Sequence, residues 1–314
     1  MEIKSGLNPH RSRSVYKKFK TEILFMKFDQ FSVKSWELLL LKVPMKLLCV
    51  FFMLALSIPF SYSCEMVSSQ FEEGASVTKY APRPGKGPTT SEQVLILPPT
   101  GGENMTDRGL ARSLCRRGHL VIIFNYLQLP EVSIDLSIHD QTNRKLLDLI
   151  DRYLTLEARQ TTIIGSSLGG IYASMIFSAA QNKNPQWPGF RFIKNLVTIA
   201  AGGSLADVLG YSTQEAVIVQ RARRFKEYNF KTVKEYTTAL NQAIELDPIR
   251  NAKPSKNVLV YASTNDPVVP SFTQVNLAKA YGQRPRMIKG LGHAGTIAYV
   301  LFAKAQEISS FIRK

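Results

Sequence analysis

The sequence predicts an α/β fold, in which a mostly parallel β-sheet carries helices on both faces. Short runs that are apolar throughout, such as residues 93–97 and 120–124, alternate with longer segments of helical periodicity. Strands of this kind are buried on both faces, and helices between them indicate a parallel sheet. The length of 314 residues and the hydrophobic content of 45% are sufficient for a large buried core.

The predicted elements follow one another without a visible internal repeat. In chain order they are a strand at 93–97, a helix at 105–118, a strand at 119–126, a helix at 139–154, a strand at 161–165, a helix at 167–181, and strands at 192–200, 257–263 and 284–290. In open parallel sheets, ligands bind beyond the carboxyl ends of the strands. The loops that directly follow the strands are therefore the places to look for functional residues.

A helical insert of about residues 204–250 follows the strand near 192–201. It is longer than the dozen or so residues that a crossover between parallel strands needs. It forms either a cap over a functional site or ordinary covering helices. Its aromatic residues Tyr211, Phe225 and Tyr228 either line an apolar pocket or pack at helical spacing.

The first 91 residues divide into three predicted segments: an extension at 1–44 that is non-native or disordered, a signal peptide or lipoprotein signal at 45–64, and a linker at 65–91. The apolar run 47–60 is short for a bilayer-spanning helix and is followed by small and polar residues. Our hypothesis is that translation begins at Met45. The expected product is exported, either to the periplasm or as a membrane-anchored lipoprotein. Membrane association would use Cys64, a lipidation candidate, or the apolar run itself.

The charge and the cysteines exclude several classes of function. The formal net charge of +16 is spread along the chain without an aromatic-interleaved basic motif, which argues against a nucleic-acid partner. The three cysteines, Cys49, Cys64 and Cys115, do not have the spacing of a zinc site. We therefore expect no metal, no cofactor and no disulfide framework in the main domain, which spans residues 92–314.

A nucleophile motif occupies the junction between the predicted strand at 161–165 and the helix that follows it. Residues 165–169 read Gly-Ser-Ser-Leu-Gly, which fits the G-x-S-x-G elbow with Ser167 at its centre. The turn places the Ser167 hydroxyl at a helix N-terminus, where free amides favour negative charge. Ser166 then occupies the variable position of the motif.

A serine hydroxyl needs a base to accept its proton, and the base needs an acid to orient it. Among the four histidines, His10 lies outside the main domain, and His119 and His139 occupy positions typical of structural residues. His293 lies in a small-residue loop after the last predicted strand, which makes it the candidate base. Asp266 directly follows the strand at 257–263 and is the candidate acid.

An oxyanion generated at Ser167 would need two backbone amides. One candidate is the amide of Leu168, directly after the nucleophile. The second comes from the loop after the strand at 93–97, where Thr100 or Gly101 is the candidate donor. A phosphate-binding reading of this glycine loop lacks the motif residues that such loops need.

Residues 92–312 resemble the α/β-hydrolase superfamily through the elbow, the acid loop at Asp266 and the histidine loop "GLGHAG". The resemblance implies an eight-stranded, mostly parallel sheet, a Ser-His-acid triad and a cap inserted after the sixth strand. The chain departs from the family in two places. The oxyanion loop reads Pro-Pro-Thr-Gly-Gly instead of the usual His-Gly, and no strands are evident before residue 92, which predicts a trimmed sheet.

The expected function is that of a serine hydrolase that cleaves a carboxylic ester, a thioester or an amide through an acyl-enzyme. Its expected partner is a small-molecule or peptide acyl substrate. Two alternatives remain open: a surface protein that binds a ligand or partner on this scaffold without catalysis, and a peptidase or acyltransferase that uses the same triad.

Overall fold

The computed structural model describes residues 64–83, 92–126 and 133–313. At its centre lies an eight-stranded sheet with the order β1-β2-β4-β3-β5-β6-β7-β8. The strands are β1 (Cys64–Gln70), β2 (Ser76–Pro82), β3 (Glu92–Leu97), β4 (Leu120–Asn125), β5 (Gln160–Ser166), β6 (Ile193–Ile199), β7 (Val258–Ser263) and β8 (Arg286–Ile288). The two pairings of β2 are antiparallel and all others are parallel. The predicted fold class is confirmed.

Helices cover both faces of this sheet. They are α1 (Met105–Cys115), α2 (Ile138–Glu157), α3 (Leu168–Gln181), α4 (Leu205–Tyr211), α5 (Glu215–Tyr228), α6 (Val233–Ala243), α7 (Pro248–Asn251), α8 (Ser271–Ala280), α9 (Gly292–Ala303) and α10 (Ala305–Ile312). Buried side chains of α1, α9 and α10 belong to the core on one face. Those of α2, α3 and α8 belong to the core on the other face.

Strand β4 shows why the central strands are apolar throughout. Ile122 and Phe124 are buried in one core, whereas Val121 and Ile123 are buried in the other. Successive side chains of a strand point to opposite faces, so a strand between two helical layers needs an apolar residue at every position.

The prediction of a linker at 65–91 is wrong for the part that the structure describes. This part contains β1 and β2, which form an antiparallel hairpin, and β2 continues the sheet by pairing with β4. The expectation of a trimmed sheet is therefore also wrong. The prediction failed because β1 is a largely exposed edge strand, so its sequence CEMVSSQ shows no apolar alternation. Its place in the sheet comes from backbone pairing.

A disulfide joins Cys64, at the start of β1, to Cys115, at the end of α1, with a Cα–Cα distance of 6.2 Å. The expectation that disulfides do not form the framework of the domain gave no indication of this single bond, which joins β1 to α1. The bond also argues against Cys64 as a lipidation site, because one sulfur atom cannot form both a disulfide and a thioether. The pairing was not predictable because the two cysteines are 51 positions apart and meet only through the sheet.

The predictions for the extension at 1–44 and for the signal at 45–64, with its apolar run, fall outside the described residues apart from Cys64 itself. The described ranges contain no helix with the length and apolar content needed to cross a membrane.

The insert between β6 and β7 consists of helices α4 to α7, in the place where the sequence predicts a helical cap. Arg224 of α5, which is fully buried, anchors it. Its Nη1 donates to the Nε2 of His139 at 3.0 Å and to the hydroxyl of Tyr236 at 3.1 Å. Its Nη2 donates to the carbonyls of Ser133 and Asp135, both at 3.2 Å. The insert is thus tied to the segment that leads into α2.

Candidate active site

Ser167 occupies the sharp turn between β5 and α3. Its backbone has φ 53° and ψ −123°, a conformation that costs energy for a residue other than glycine. The strain is held in place on both sides, because the Ser167 amide donates to the carbonyl of Ile199 at 2.9 Å and its carbonyl accepts from the amides of Gly170 and Ile171. Backbone strain of this kind is common at functional sites.

The glycines of the motif are required by close backbone approaches. A Cβ on Gly165 would lie 2.2 Å from the carbonyl oxygen of Gly169. A Cβ on Gly169 would lie 2.3 Å from the carbonyl oxygens of both Leu97 and Pro98, at the end of β3. The absence of side chains therefore lets the turn fold back on itself and lets the loop after β3 pass directly beside the start of α3.

Three side chains from distant parts of the chain form one hydrogen-bonded series. The Nε2 of His293 lies 2.9 Å from the Oγ of Ser167, and the Nδ1 of His293 lies 2.7 Å from the Oδ2 of Asp266. The side chain of Asp266 is fully buried, and that of His293 is 13% exposed. One nitrogen of the imidazole therefore faces the Ser167 hydroxyl, and the other faces a carboxylate that is shielded from solvent.

The series forms because its members follow parallel strands of one sheet. Ser167 follows β5, Asp266 follows β7, and His293 lies near the start of α9, after β8. Parallel strands end at the same edge of a sheet, so the loops after them meet there. The structure thus brings together the nucleophile, base and acid candidates that the sequence suggests.

The Asp266 carboxylate is held by more groups than the sequence suggests. Its Oδ1 accepts from the amides of Val268 and Val269 at 2.9 and 2.8 Å. Its Oδ2 accepts from the Nε2 of Gln274 at 3.0 Å, in addition to His293. Gln274 is fully buried, and its Oε1 accepts from the amide of Ser263. The signal that could have indicated Gln274 is its polar side chain at a core position of α8.

The other histidines of the main domain lie away from this series. His119 is buried, and its Nε2 lies 2.9 Å from the Oγ of Ser309. Burial lowers the pKa of His119 to about 4. Burial and the nearby Arg224 guanidinium lower the pKa of His139 to about 3. Both imidazoles are therefore neutral near pH 7, in keeping with structural positions.

The candidate oxyanion donors lie on two neighbouring segments. Leu168 is the first residue of α3, and helix N-termini have free amides. Thr100 and Gly101 lie in an exposed turn of residues 99–102, closed by a bond from the Gly102 amide to the Pro99 carbonyl at 3.1 Å. The loop that contains this turn begins at Leu97 and Pro98, whose carbonyl oxygens lie beside Gly169.

The insert is fastened to the loop that carries Asp266. The carbonyl of Pro267 accepts from the amide of Thr213 at 2.8 Å, from its hydroxyl at 3.0 Å and from the hydroxyl of Ser212 at 3.3 Å. Tyr211, which ends α4 directly before Ser212, and Phe272, in the first turn of α8, form an edge-to-face pair, and each side chain is nearly half exposed. The connection between α4 and α5 therefore lies next to Asp266, the candidate acid.

Two other aromatic residues of the insert serve packing. Phe225 packs against the core and lies 5.5 Å from Tyr236, measured between ring centroids. Tyr228 stacks on Phe230 at 5.6 Å and is partly exposed.

Within the described residues, no group of three His, Cys, Asp or Glu side chains could hold a metal ion.

Asp107 is an unusual buried carboxyl group in the first turn of α1. Its Oδ2 accepts from the amide of Asn104 at 3.1 Å, whereas its Oδ1 has no hydrogen-bond partner among the described residues. Burial raises the pKa of Asp107 to about 7. In the unfolded chain an aspartate titrates near pH 4, so between about pH 4 and 7 the folded state keeps a proton that the unfolded state releases.

The Asp107→Asn variant is therefore expected to lose part of the pH dependence of folding. Asp107 favours the folded state less as the pH rises through this window. The free energy of unfolding of the variant minus that of the wild type should increase by about 4 kcal/mol from pH 4 to pH 8. Urea unfolding at several pH values measures the difference. The variant Glu227→Gln, which changes an exposed carboxylate, should show no such trend, and a constant difference for Asp107→Asn would contradict the prediction.

Comparisons with known proteins bear on the fold. No protein-family model and no curated protein sequence matches the chain. Among solved structures, the chain is similar to an α/β-hydrolase superfamily protein from Enterococcus faecalis, with a TM-score of 0.53, 16% identity, and coverage of 80% of this chain and 99% of that one. It is also similar to a thermophilic esterase, Est2, from Thermogutta terrifontis, with a TM-score of 0.51, 13% identity, and coverage of 79% and 91%.

A third similar structure comes from a study of two prolyl endopeptidases, with a TM-score of 0.53 and 14% identity. The alignment covers 81% of this chain but only 38% of that protein. Identities this low establish a shared architecture and leave the chemistry to be argued from the site. The eight-stranded sheet, its helical layers and these similarities together show that the chain has the α/β-hydrolase fold.

Proposed function

We propose that the protein is a serine hydrolase that cleaves a carboxylic ester, a thioester or an amide through an acyl-enzyme intermediate. The observation that carries the proposal is the position of His293, which lies within hydrogen-bond distance of both the Ser167 hydroxyl and the Asp266 carboxylate. This is the geometry that an activated serine needs. The strained backbone of Ser167 at a strand-to-helix turn supports the same assignment.

In the proposed first step, the Oγ of Ser167 bonds to the carbonyl carbon of the substrate while its proton passes to the Nε2 of His293. The C=O double bond becomes a single bond, and its electron pair becomes the oxyanion. When the C=O bond reforms, the bond to the leaving group breaks, and the leaving group takes the proton from Nε2. Water then repeats these steps on the acyl-enzyme, which releases the acid and restores Ser167.

Asp266 has an orienting role in this proposal. Because its Oδ2 accepts from the Nδ1 of His293, the neutral imidazole keeps its lone pair on Nε2, which faces Ser167. The carboxylate also stabilises the imidazolium that forms in the first step. Its bonds from Val268, Val269 and Gln274 keep it in a single orientation.

The oxyanion would be held by the amide of Leu168 together with that of Thr100 or Gly101. The closeness of the loop after β3 to Gly169 supports this assignment. An amide from a preorganised donor pair stabilises charge as it develops, and removal of one donor typically costs about 10²–10³-fold in kcat.

The class of substrate is an acyl compound, either a small molecule or a peptide. An esterase and prolyl endopeptidases are among the similar solved structures, and both kinds of reaction fit the triad. The half-exposed pair Tyr211 and Phe272, which lies beside the loop of Asp266, supports a substrate that carries an apolar group.

A fluorophosphonate probe tests the proposal directly. The native protein should react covalently, peptide mass spectrometry should locate the adduct on Ser167, and heat denaturation should abolish the labelling. Screening against p-nitrophenyl esters of graded acyl length and aminoacyl p-nitroanilides then separates esterase from peptidase activity. Failure of the native protein to react would favour a binding protein without catalysis.

We further propose that the protein is exported. The support is the predicted signal at 45–64 together with the disulfide between Cys64 and Cys115, since disulfides persist in oxidising compartments.

A further inference from the structure

Two consecutive residues at the carboxyl end of β4 hold both ends of the loop that contains the candidate oxyanion donors. The hydroxyl of Tyr126 donates to the carbonyl of Pro98 at 2.8 Å. The Oδ1 of Asn125 accepts from the amide of Glu103 at 2.7 Å. Thr100 and Gly101 lie between these two attachment points.

Within the described ranges, few other contacts hold the tip of the turn. Gly101 and Gly102 have φ values of +103° and +85°, and a Cβ built on Gly101 would meet no atom within 4 Å. Thr100 and Gly101 are both exposed. Among the described residues, the hydrogen bonds that hold the turn are its internal bond from Gly102 to Pro99 and the bonds at its two ends, so its position depends on them.

The Glu103 end is held through a nearly buried carboxylate, whose side chain is only 7% exposed. Its Oε2 accepts from the Nδ2 of Asn125 at 3.0 Å and from the hydroxyl of Thr78 at 2.9 Å. Its Oε1 accepts from the Nε of Arg108 at 2.8 Å. Asn125 therefore bonds both the main chain and the side chain of Glu103, and Thr78 connects this end to β2.

The Pro98 end is held through Tyr126. Burial raises the pKa of Tyr126 well above its ordinary value, so the hydroxyl keeps its proton and remains a donor. The ring packs edge-to-face against Tyr172 of α3, with 5.2 Å between centroids. Since α3 begins directly after Ser167, Tyr126 connects the loop to the helix that follows the proposed nucleophile.

We propose that Tyr126 and Asn125 are positioning residues, which fix the donor amide of the turn 99–102 at the distance from Ser167 that the oxyanion needs. The inference rests on the proposed function. A donor that is displaced by a fraction of an ångström still lets substrate bind, but it stabilises the transition state less.

The test compares Tyr126→Phe and Asn125→Leu with the wild type on p-nitrophenyl butyrate. Tyr126→Phe removes one hydroxyl and keeps the ring contact with Tyr172. Each variant should lower kcat by about 10-fold or more, with KM changed by less than about twofold. Affinity for butylboronic acid, whose tetrahedral adduct on Ser167 occupies the oxyanion position, should fall in parallel with kcat.

Tyr281→Phe is the matched control. It also removes a buried tyrosine hydroxyl that donates to a carbonyl, that of Ser174 at 3.0 Å, but it lies away from the turn. It should leave kcat and boronate affinity near the wild-type values. Equal losses in Tyr281→Phe and Tyr126→Phe would show a general packing effect and overturn the proposal.

The remaining outcomes are also decisive. If the wild type is active but folded Tyr126→Phe keeps its kcat and boronate affinity, the positioning role is wrong while the proposed function stands. If Asn125→Leu does not fold, Tyr126→Phe decides alone. If the wild type hydrolyses no substrate and Ser167 does not react with the fluorophosphonate, the proposed function fails and the inference fails with it.

Discussion

Replacing Ser167 with alanine is expected to lower kcat by about 10⁴-fold or more, without loss of the folded state. In the proposed mechanism the Ser167 hydroxyl is the nucleophile, so no acyl-enzyme can form without it. The residual rate would come from bound substrate and the oxyanion donors. Steady-state hydrolysis of p-nitrophenyl butyrate measures the effect, and circular dichroism confirms that the variant is folded.

The neighbouring serine offers a matched control. Ser166 is buried, and its hydroxyl has no hydrogen-bond partner among the described residues. Ser166→Ala therefore removes the same group one position away and should retain most of the wild-type kcat. An active Ser167→Ala variant, or an equal loss in Ser166→Ala, would show that the nucleophile is assigned wrongly.

The three side chains of the proposed triad should also behave as one unit. His293→Gln and Asp266→Asn are each expected to reduce kcat by about 10⁴-fold, because Ser167 then lacks a base or the base lacks its orienting carboxylate. Combining either change with Ser167→Ala should cost little beyond Ser167→Ala alone. Additive losses would indicate that the three side chains act separately.

The disulfide between Cys64 and Cys115 is expected to contribute about 4 kcal/mol to the free energy of unfolding, given that 51 positions separate the two cysteines. Without it, β1 is held mainly by its pairing with β2, because most of its side chains are exposed. The double variant Cys64→Ala/Cys115→Ala should unfold at a correspondingly lower denaturant concentration. Its kcat should be unchanged, because neither cysteine belongs to the triad.

Guanidinium unfolding of the native protein, of the double variant and of the reduced native protein measures this contribution. The reduced protein is the matched control, since it loses the bond without a change of sequence. Peptide mapping of protein from the natural host without reduction should recover the peptides of Cys64 and Cys115 joined together. A lipid thioether on Cys64, or equal stability of all three forms, would contradict the disulfide.

The sequence predicted best where the local chain imposes its own requirements. The sequence predicted the elbow because neither Gly165 nor Gly169 has room for a Cβ. The shape of the turn therefore requires glycine at both positions, and the motif shows this requirement. The central strands were visible because burial on both faces demands a continuous apolar run. The positions of Asp266 and His293 after β7 and β8 followed from strand order. The structure differs in that His293 lies in the first turn of α9 and not in a loop, and its hydrogen bond to Asp266 depends on the alignment of β7 and β8.

The hairpin of β1 and β2 was missed for the opposite reason. An exposed edge strand is specified by backbone pairing, and pairing leaves little trace in the choice of side chains. The sequence analysis also missed Gln274, Asn125 and Tyr126. The role of a polar residue in a helix or at a strand end depends on its hydrogen-bond partner, which the sequence does not show.

By itself, the sequence determined the class of fold, the order of its central elements and the single turn at which Ser167 is displayed, since all three depend on periodicity or on steric limits within a few residues. Only the tertiary structure decided how the Asp266 carboxylate is held against His293, what supports the turn at 99–102, and that Cys64 reaches Cys115. These contacts join atoms that lie far apart along the chain, so they depend on the register of neighbouring strands and on the packing of helices, which no local pattern encodes.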